Sequence, residues 1–254
     1  MKRFLAAVLS MLVPGVSCMA AASSSVPGSI PAKASRGELA ARPAAGGDRH
    51  GRPGLHELAL ENAEPALLYV PANQPPDHPM PLVVMLHGAG GLPSQSLELV
   101  REHADRLGFI VLAPRSRART WDIMAGRSFG PDVSALDQAL AQVFERYSVD
   151  PQRVAIAGFS DGASYALSLG VANGELFRFV MAFSPGFMAP GRQQGEPRVF
   201  VSHGVDDRVL PIERCSRRII AQLRSAGYQV DYREFPGGHI VPEEVARAAF
   251  EPLG

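Results

Sequence analysis

A serine hydroxyl becomes a useful nucleophile only when the backbone presents it and a neighbouring base takes its proton. The stretch Arg153-Val154-Ala155-Ile156-Ala157-Gly158-Phe159-Ser160-Asp161-Gly162-Ala163-Ser164 is built for presentation. An apolar run with the look of a buried strand enters Gly-Phe-Ser-Asp-Gly, and a helical pattern starts at once. That is the strand, sharp turn and helix of a nucleophile elbow. A serine at such a tip takes a strained backbone conformation that exposes its hydroxyl. Gly158 and Gly162 leave room where a Cβ would collide with the turn or the neighbouring strand. The following helix aims its free N–H groups at the oxyanion that forms in acyl transfer.

Glycine spacing alone does not single out this serine, because Gly126-Arg127-Ser128-Phe129-Gly130 matches it equally well. Trp121-Asp122-Ile123-Met124-Ala125 is no clear strand, and Pro131 follows directly. Ser128 therefore reads as a loop serine and Ser160 as the nucleophile.

In open parallel sheets, ligands bind beyond the carboxyl ends of the strands. Polar residues at four strand ends are accordingly singled out: His87-Gly88-Ala89-Gly90-Gly91, Ser160-Asp161, Asp206-Asp207 and Gly237-Gly238-His239. His239 is the candidate base, since it follows a strand and two flexible glycines and is the only histidine C-terminal to the aspartates. Either Asp206 or Asp207 could orient it. His87 and His203 close strands before glycines and read as loop braces bonded to backbone. His103 reads as a surface residue of a helix, and Cys215 as structural. Phe159, Trp121, Val209 and Ile240, together with Met124, Phe187 and Met188, flank these motifs and are candidates for lining an acyl pocket. Arg115, Arg117 and Arg119 read as a solvated loop.

No His, Asp or Glu group has metal-site spacing, and Gly88, Gly90 and Gly91 do not fit a dinucleotide fingerprint. No metal and no cofactor are expected. Both lysines, Lys2 and Lys33, precede the predicted domain, which excludes Schiff-base and Ser-x-x-Lys chemistry there.

The elements that must position these residues are legible in the hydrophobic pattern. Leu55–Leu60 and Ala66–Val70 look like leading strands, and Leu82–Leu86 like a strand covered on both faces. Ser94–Leu107 is amphipathic and closes at Gly108, and Phe109–Ala113 is the next strand. A long loop over 114–130 leads to a helix from Pro131 with apolar residues three and four apart. After the elbow come strands Phe179–Phe183 and Val199–Ser202, helix Pro211–Ala226, strand Val230–Phe235 and helix Pro242–Phe250. This alternation implies an α/β fold with a mostly parallel sheet and helices on both faces.

The chain has 254 residues, 46% of them hydrophobic, enough for one sizeable core. Its 25 basic and 25 acidic residues balance, which gives no electrostatic support for a nucleic-acid partner. Met1-Lys2-Arg3, the apolar run Phe4–Val16 and the small residues at Ala20-Ala21-Ala22 read as a cleaved signal peptide over 1–20. A lipoprotein signal using Cys18 is disfavoured, because Gly15-Val16-Ser17 lacks the usual leucine. Residues 21–54 are rich in Ala, Ser, Pro, Gly and Arg and are expected to form a disordered linker. Residues 55–254 then form one domain, in a secreted or periplasmic protein. No other segment is long and apolar enough to span a membrane.

At this point the sequence resembles the α/β-hydrolase superfamily. More narrowly, it resembles secreted carboxylesterases of the phospholipase/carboxylesterase and polyhydroxybutyrate-depolymerase-like groups. The matching pieces are Leu86-His87-Gly88-Ala89-Gly90, Gly158-Phe159-Ser160-Asp161-Gly162, His203-Gly204-Val205-Asp206-Asp207-Arg208-Val209-Leu210-Pro211 and Phe235-Pro236-Gly237-Gly238-His239. The resemblance implies the α/β-hydrolase fold over about Leu55 to Gly254 and a triad in the order Ser160, acid, His239. The resembled His-Gly-x-x-Asp pattern selects Asp207 over Asp206, and the oxyanion hole is expected at the backbone N–H groups of Asp161 and Ala89, with Gly88 the alternative to Ala89. The implied activity is hydrolysis of small-molecule carboxylic esters through an acyl-enzyme. Thioester or peptide cleavage by the same triad, and a non-catalytic binding protein on the same fold, stay open as alternatives. No insertion is long enough for a lid domain, so an open or shallow site for short-acyl or aromatic-acyl esters is expected. The oligomeric state is not legible.

Overall fold

The computed structural model describes residues 32–43, 51–72, 78–126 and 128–254. In chain order the elements are α1 (Ala32–Ser35), β1 (Gly54–Leu58), β2 (Ala66–Val70), β3 (Met80–Leu86), α2 (Pro93–Leu107), β4 (Ile110–Ala113), α3 (Asp122–Gly126) and α4 (Pro131–Arg146). They continue with β5 (Val149–Phe159), α5 (Asp161–Ala172), β6 (Phe179–Phe183), β7 (Arg198–Gly204), α6 (Ser216–Ser225), β8 (Val230–Phe235) and α7 (Glu243–Phe250), and the chain closes in a 3-10 turn, Glu251–Leu253.

One eight-stranded sheet runs in the order β1-β2-β4-β3-β5-β6-β7-β8. β1 pairs antiparallel with β2, and β2 antiparallel with β4; every pairing from β4 to β8 is parallel. The alternation of side chains along β3 shows why both faces are covered. Leu82, Val84 and Leu86 join one core with residues of α4, α5 and α6, while Val83 and Met85 join a second core with residues of α2 and α7. This is the fold expected from the alternating pattern. Because β3, β5, β7 and β8 run parallel, their carboxyl ends lie along one edge. His87, Ser160, Asp207 and His239 all follow those ends.

Three expectations need correction. The segment read as a free linker packs in part against the domain. Leu39 N donates to Asn173 Oδ1 at 3.0 Å, and Asn173 Nδ2 returns a bond to Gly37 O at 2.7 Å. Ala40 N and Ala41 N both donate to Asp137 Oδ1 at 2.8 Å, and Ala34 and Leu39 are buried. A count of large apolar residues misses this, because the side chains of Asp137 on α4 and of Asn173 just after α5 satisfy the arm's backbone. His103 is buried on the inner face of α2 against Phe250, not on the surface. The loop over 114–130 contains the short helix α3. The predicted signal peptide over 1–20, Cys18 and the remainder of the predicted linker at 21–31 and 44–50 lie outside the described residues. No helix among the described residues is long and apolar enough to cross a membrane.

Candidate active site

β5 delivers Ser160 into a turn whose backbone is held at φ 57°, ψ −119°, a conformation that costs about 1–3 kcal/mol for a residue with a side chain. The surroundings enforce it. Ser160 N donates to Phe183 O on β6 at 2.9 Å, and Ser160 O accepts from Ala163 N at 3.0 Å and Ser164 N at 3.1 Å as α5 begins. A Cβ at Gly158 would strike the Gly162 carbonyl, and one at Gly162 would strike the Leu86 carbonyl at the end of β3. The two glycines therefore let the elbow nest against the neighbouring strand.

Ser160 Oγ lies 2.9 Å from His239 Nε2, and His239 Nδ1 lies 2.6 Å from Asp207 Oδ2. With a carboxylate facing Nδ1, that nitrogen carries the proton and Nε2 accepts from the serine hydroxyl. Asp207 Oδ1 accepts from Val209 N at 2.8 Å and Leu210 N at 2.9 Å. Burial by itself would raise the Asp207 carboxyl, but the Leu210 N–H, His239 and the Val209 N–H outweigh it, so it sits below its ordinary value. Asp206 is exposed, and its backbone N donates to Gly237 O at 2.9 Å. The fold thus brings Asp207, and not Asp206, to the imidazole. His203 braces the same loop: its Nε2 donates to Leu210 O at 2.7 Å and lies 3.1 Å from Asp207 Oδ2.

The strand-end loop after β3 is braced in the same manner. His87 Nε2 accepts from Ser116 N at 3.1 Å, so Nδ1 carries the proton and donates to Gly88 O at 2.7 Å. Burial lowers the pKa of His87 and favours this neutral form. Gly91 N donates to Gly88 O at 3.0 Å, and Gly90 N to Arg119 O at 2.6 Å. Among the described residues, the N–H groups of Ala89 and Asp161 have no acceptor, nor has that of Gly88. Unpaired N–H groups beside a serine hydroxyl are the requirement for receiving an oxyanion.

Phe159, His239 and Ile240, with the loop residues His87, Gly88 and Ala89, border a cleft of about 480 Å³. The Phe159 ring sits 4.7 Å from the His239 ring. Val209 is 66% exposed on the acid loop and does not border this cleft. Trp121 corrects its expected role as a pocket wall. It is 1% exposed, stacks on Tyr165 at 5.1 Å and donates Nε1–H to His87 O at 2.9 Å, so it supports the loop from below. Met124 and Phe187 border a second cavity of about 400 Å³ with Ile123 and Ala189, and Met188 packs on the core. Ser128 lies exposed in a bend, with no hydrogen bond among the described residues.

Sequence reasoning missed the strap over 115–122 and the carboxylates beneath it. Asp132 Oδ1 accepts from Arg117 N at 2.9 Å and Oδ2 from Asp122 N at 2.8 Å, while Asp122 Oδ2 accepts from Asp132 N at 3.0 Å. Burial and the facing Asp132 push Asp122 up to about 6. Thr120 Oγ1 donates to Asp161 Oδ2 at 2.6 Å. These bonds join residues 10 to 41 positions apart, and no local spacing announces them.

The family model for Esterase PHB depolymerase matches residues 66–239, from the start of β2 to the histidine. The chain belongs to the Esterase PHB depolymerase family. This esterase-family chain is 31% identical over 149 residues to a bifunctional acetylxylan esterase/xylanase of Neocallimastix patriciarum, covering 56% of itself and 21% of that protein. It is 27% identical over 168 residues to a probable feruloyl esterase C of Aspergillus flavus, covering 63% of itself and 60% of that protein. It therefore spans less than two thirds of these relatives. Among solved structures, esterase PE8 superposes with a TM-score of 0.61 at 21% identity, over 79% of this chain and 98% of that one. A ferulic acid esterase of Anaeromyces mucronatus gives 0.58 at 17% identity, over 81% and 93%. At these identities the structures speak for the fold, that of the α/β-hydrolase esterases.

Proposed function

We propose that this family member is a serine carboxylesterase in which Ser160, His239 and Asp207 act as nucleophile, base and orienting acid. The observation that carries the reading is the unbroken chain Asp207–His239–Ser160, at 2.6 and 2.9 Å, ending on the strained elbow. Ser160 Oγ attacks the ester carbonyl as His239 Nε2 takes its proton, and Asp207 stabilises the imidazolium that forms. The N–H groups of Asp161 and Ala89 receive the oxyanion. His239 then protonates the departing alkoxide, and water, activated by the same nitrogen, releases the acid from the acyl-enzyme.

The open cleft beside Phe159 and Ile240 suits short-acyl or aromatic-acyl esters. The relatives named acetylxylan esterase and probable feruloyl esterase make acetylxylan and feruloyl esters the first substrates to offer. Export by the N-terminal signal, to a periplasmic or extracellular location, belongs to the same proposal and fits such substrates. Hydrolysis of p-nitrophenyl acetate, p-nitrophenyl butyrate and methyl ferulate by the wild type, Ser160→Ala and Ser128→Ala tests it. Activity should vanish in Ser160→Ala and persist in Ser128→Ala. A folded wild type with no turnover and no labelling by a fluorophosphonate would leave a binding protein on a hydrolase fold.

A further inference from the structure

Two adjacent residues of the strap hold the two halves of the region where an oxyanion forms. The Arg119 carbonyl accepts from Gly90 N at 2.6 Å, fixing the loop that carries Ala89. The Thr120 hydroxyl donates to Asp161 Oδ2 at 2.6 Å, on the residue whose own N–H opens α5. The strap is anchored in turn, since Asp132 accepts the N–H groups of Arg117 and Asp122 on either side of this pair. Neighbours in an anchored strap cannot drift apart, so the loop after β3 and the first turn of α5 are tied to one reference.

Asp161 needs such a tie. Its carboxylate stands on the residue that presents a donor to the oxyanion, which places a fixed negative charge close to developing negative charge. The Thr120 hydroxyl fixes one rotamer and takes up part of the charge through a hydrogen bond to an ionised acceptor.

We infer that Thr120 is a positioning residue for the oxyanion hole, acting through Asp161 to set that donor against the Ala89 loop. Thr120 touches no reacting atom. The inference rests on the acyl-enzyme reading above.

Steady-state kinetics of the full chain on p-nitrophenyl acetate, with Thr120→Val, Thr120→Ala, Thr120→Ser and Ser160→Ala, test it. Removal of the hydroxyl in Thr120→Val should lower kcat about tenfold or more and leave KM within about twofold, as for an interaction made in the transition state. Thr120→Ser, which keeps the donor, should recover most of the rate. Thr120→Ala carries the same test if valine prevents folding. An unchanged kcat in a folded variant without the hydroxyl overturns the inference. So does a loss confined to KM, or a serine variant as slow as the variant without the donor. Activity surviving in Ser160→Ala sinks the acyl-enzyme reading itself. A dead Ser160→Ala beside a normal Thr120→Val removes the positioning role alone.

Discussion

Asp207 meets His239 through one carboxylate oxygen, with Oδ2 2.6 Å from Nδ1, while its other oxygen is held by two N–H groups of its own loop. The carboxylate is oriented by Val209 and Leu210 whether or not the histidine is in place. The imidazole therefore meets an acceptor already aimed at it. Asp206, one residue earlier, has its side chain in solvent.

Changing the two aspartates separately should expose this difference. Asp207→Asn presents an amide that no longer favours the tautomer with the proton on Nδ1, and kcat should fall by about 10⁴. Asp206→Asn should stay within about threefold, because exposed substitutions perturb a site little. Comparable losses in both variants would contradict the assignment of Asp207.

Gly162→Ala should be among the more disruptive single-atom changes available. Its new Cβ would meet the carbonyls of Leu86 and His87, which are backbone, with no flexible side chain to yield. Overpacking of this kind costs about 3 kcal/mol, and the displaced loop is the one that carries Ala89. Urea unfolding should show the lost stability, and kcat should fall with it. Wild-type values of both would mean that the turn relaxes freely.

The facing carboxylates of half-buried Asp122 and buried Asp132 give stability a pH dependence of defined sign. Asp122 titrates near 6 in the folded chain, above the usual carboxylate value, so the folded state holds its proton more tightly. Its contribution is most favourable below about pH 4 and is lost as pH rises through about 6, by on the order of 2 kcal/mol. Asp122→Asn keeps an acceptor for Asp132 N and removes the charge. The stability of the variant relative to wild type should therefore grow between pH 4 and 7. A constant difference across that range would show that Asp122 ionises as an ordinary carboxylate.

Removal of the arm should destabilise the domain without touching the triad. A chain beginning at residue 51 loses the buried Leu39 and leaves Asn173 Oδ1 and Asp137 Oδ1 without the N–H groups they accept. Burial of one leucine and a few hydrogen bonds amount to about 3 kcal/mol. Thermal unfolding of this chain against one beginning at residue 32 measures the difference, and equal midpoints would make the docking incidental.

The cleft predicts an acyl-length profile. Ile240 is 53% exposed and Phe159 half-buried, and both border the cleft beside His239. Ile240→Ala should raise KM for p-nitrophenyl butyrate more than for the acetate, with a change of about threefold for the lost apolar contact. Equal effects on the two esters would place the acyl chain elsewhere, the cavity beside Met124 and Phe187 being the next place to probe.

Much of this was readable along the chain because it is local. The continuous apolar runs at Leu82–Leu86 and Val154–Ala157, short and bounded by glycine, read as strands covered on both faces, and a parallel sheet then collects His87, Ser160, the acid loop and His239 at one edge. The elbow is local as well, since the apolar run before Gly158, the five residues from Gly158 to Gly162 and the helical pattern after them are contiguous, which the second Gly-x-Ser-x-Gly at Gly126–Gly130 lacks.

Tertiary structure decided what depends on residues far apart. The residues by themselves leave Asp206 and Asp207 open and the family resemblance selects Asp207; the tertiary structure turns that carboxylate to the imidazole, since adjacent residues in a turn point in different directions and the contact to His239 spans 32 positions. It turned Trp121 from a pocket wall into a buried support for His87, because its indole N–H needs an acceptor once it leaves water. It docked the arm through side chains of Asn173 and Asp137, and it laid the strap of Arg119 and Thr120 across Gly90 and Asp161. Hydrophobic periodicity reports which face of an element is buried, and hydrogen bonds between distant loops leave no period to read.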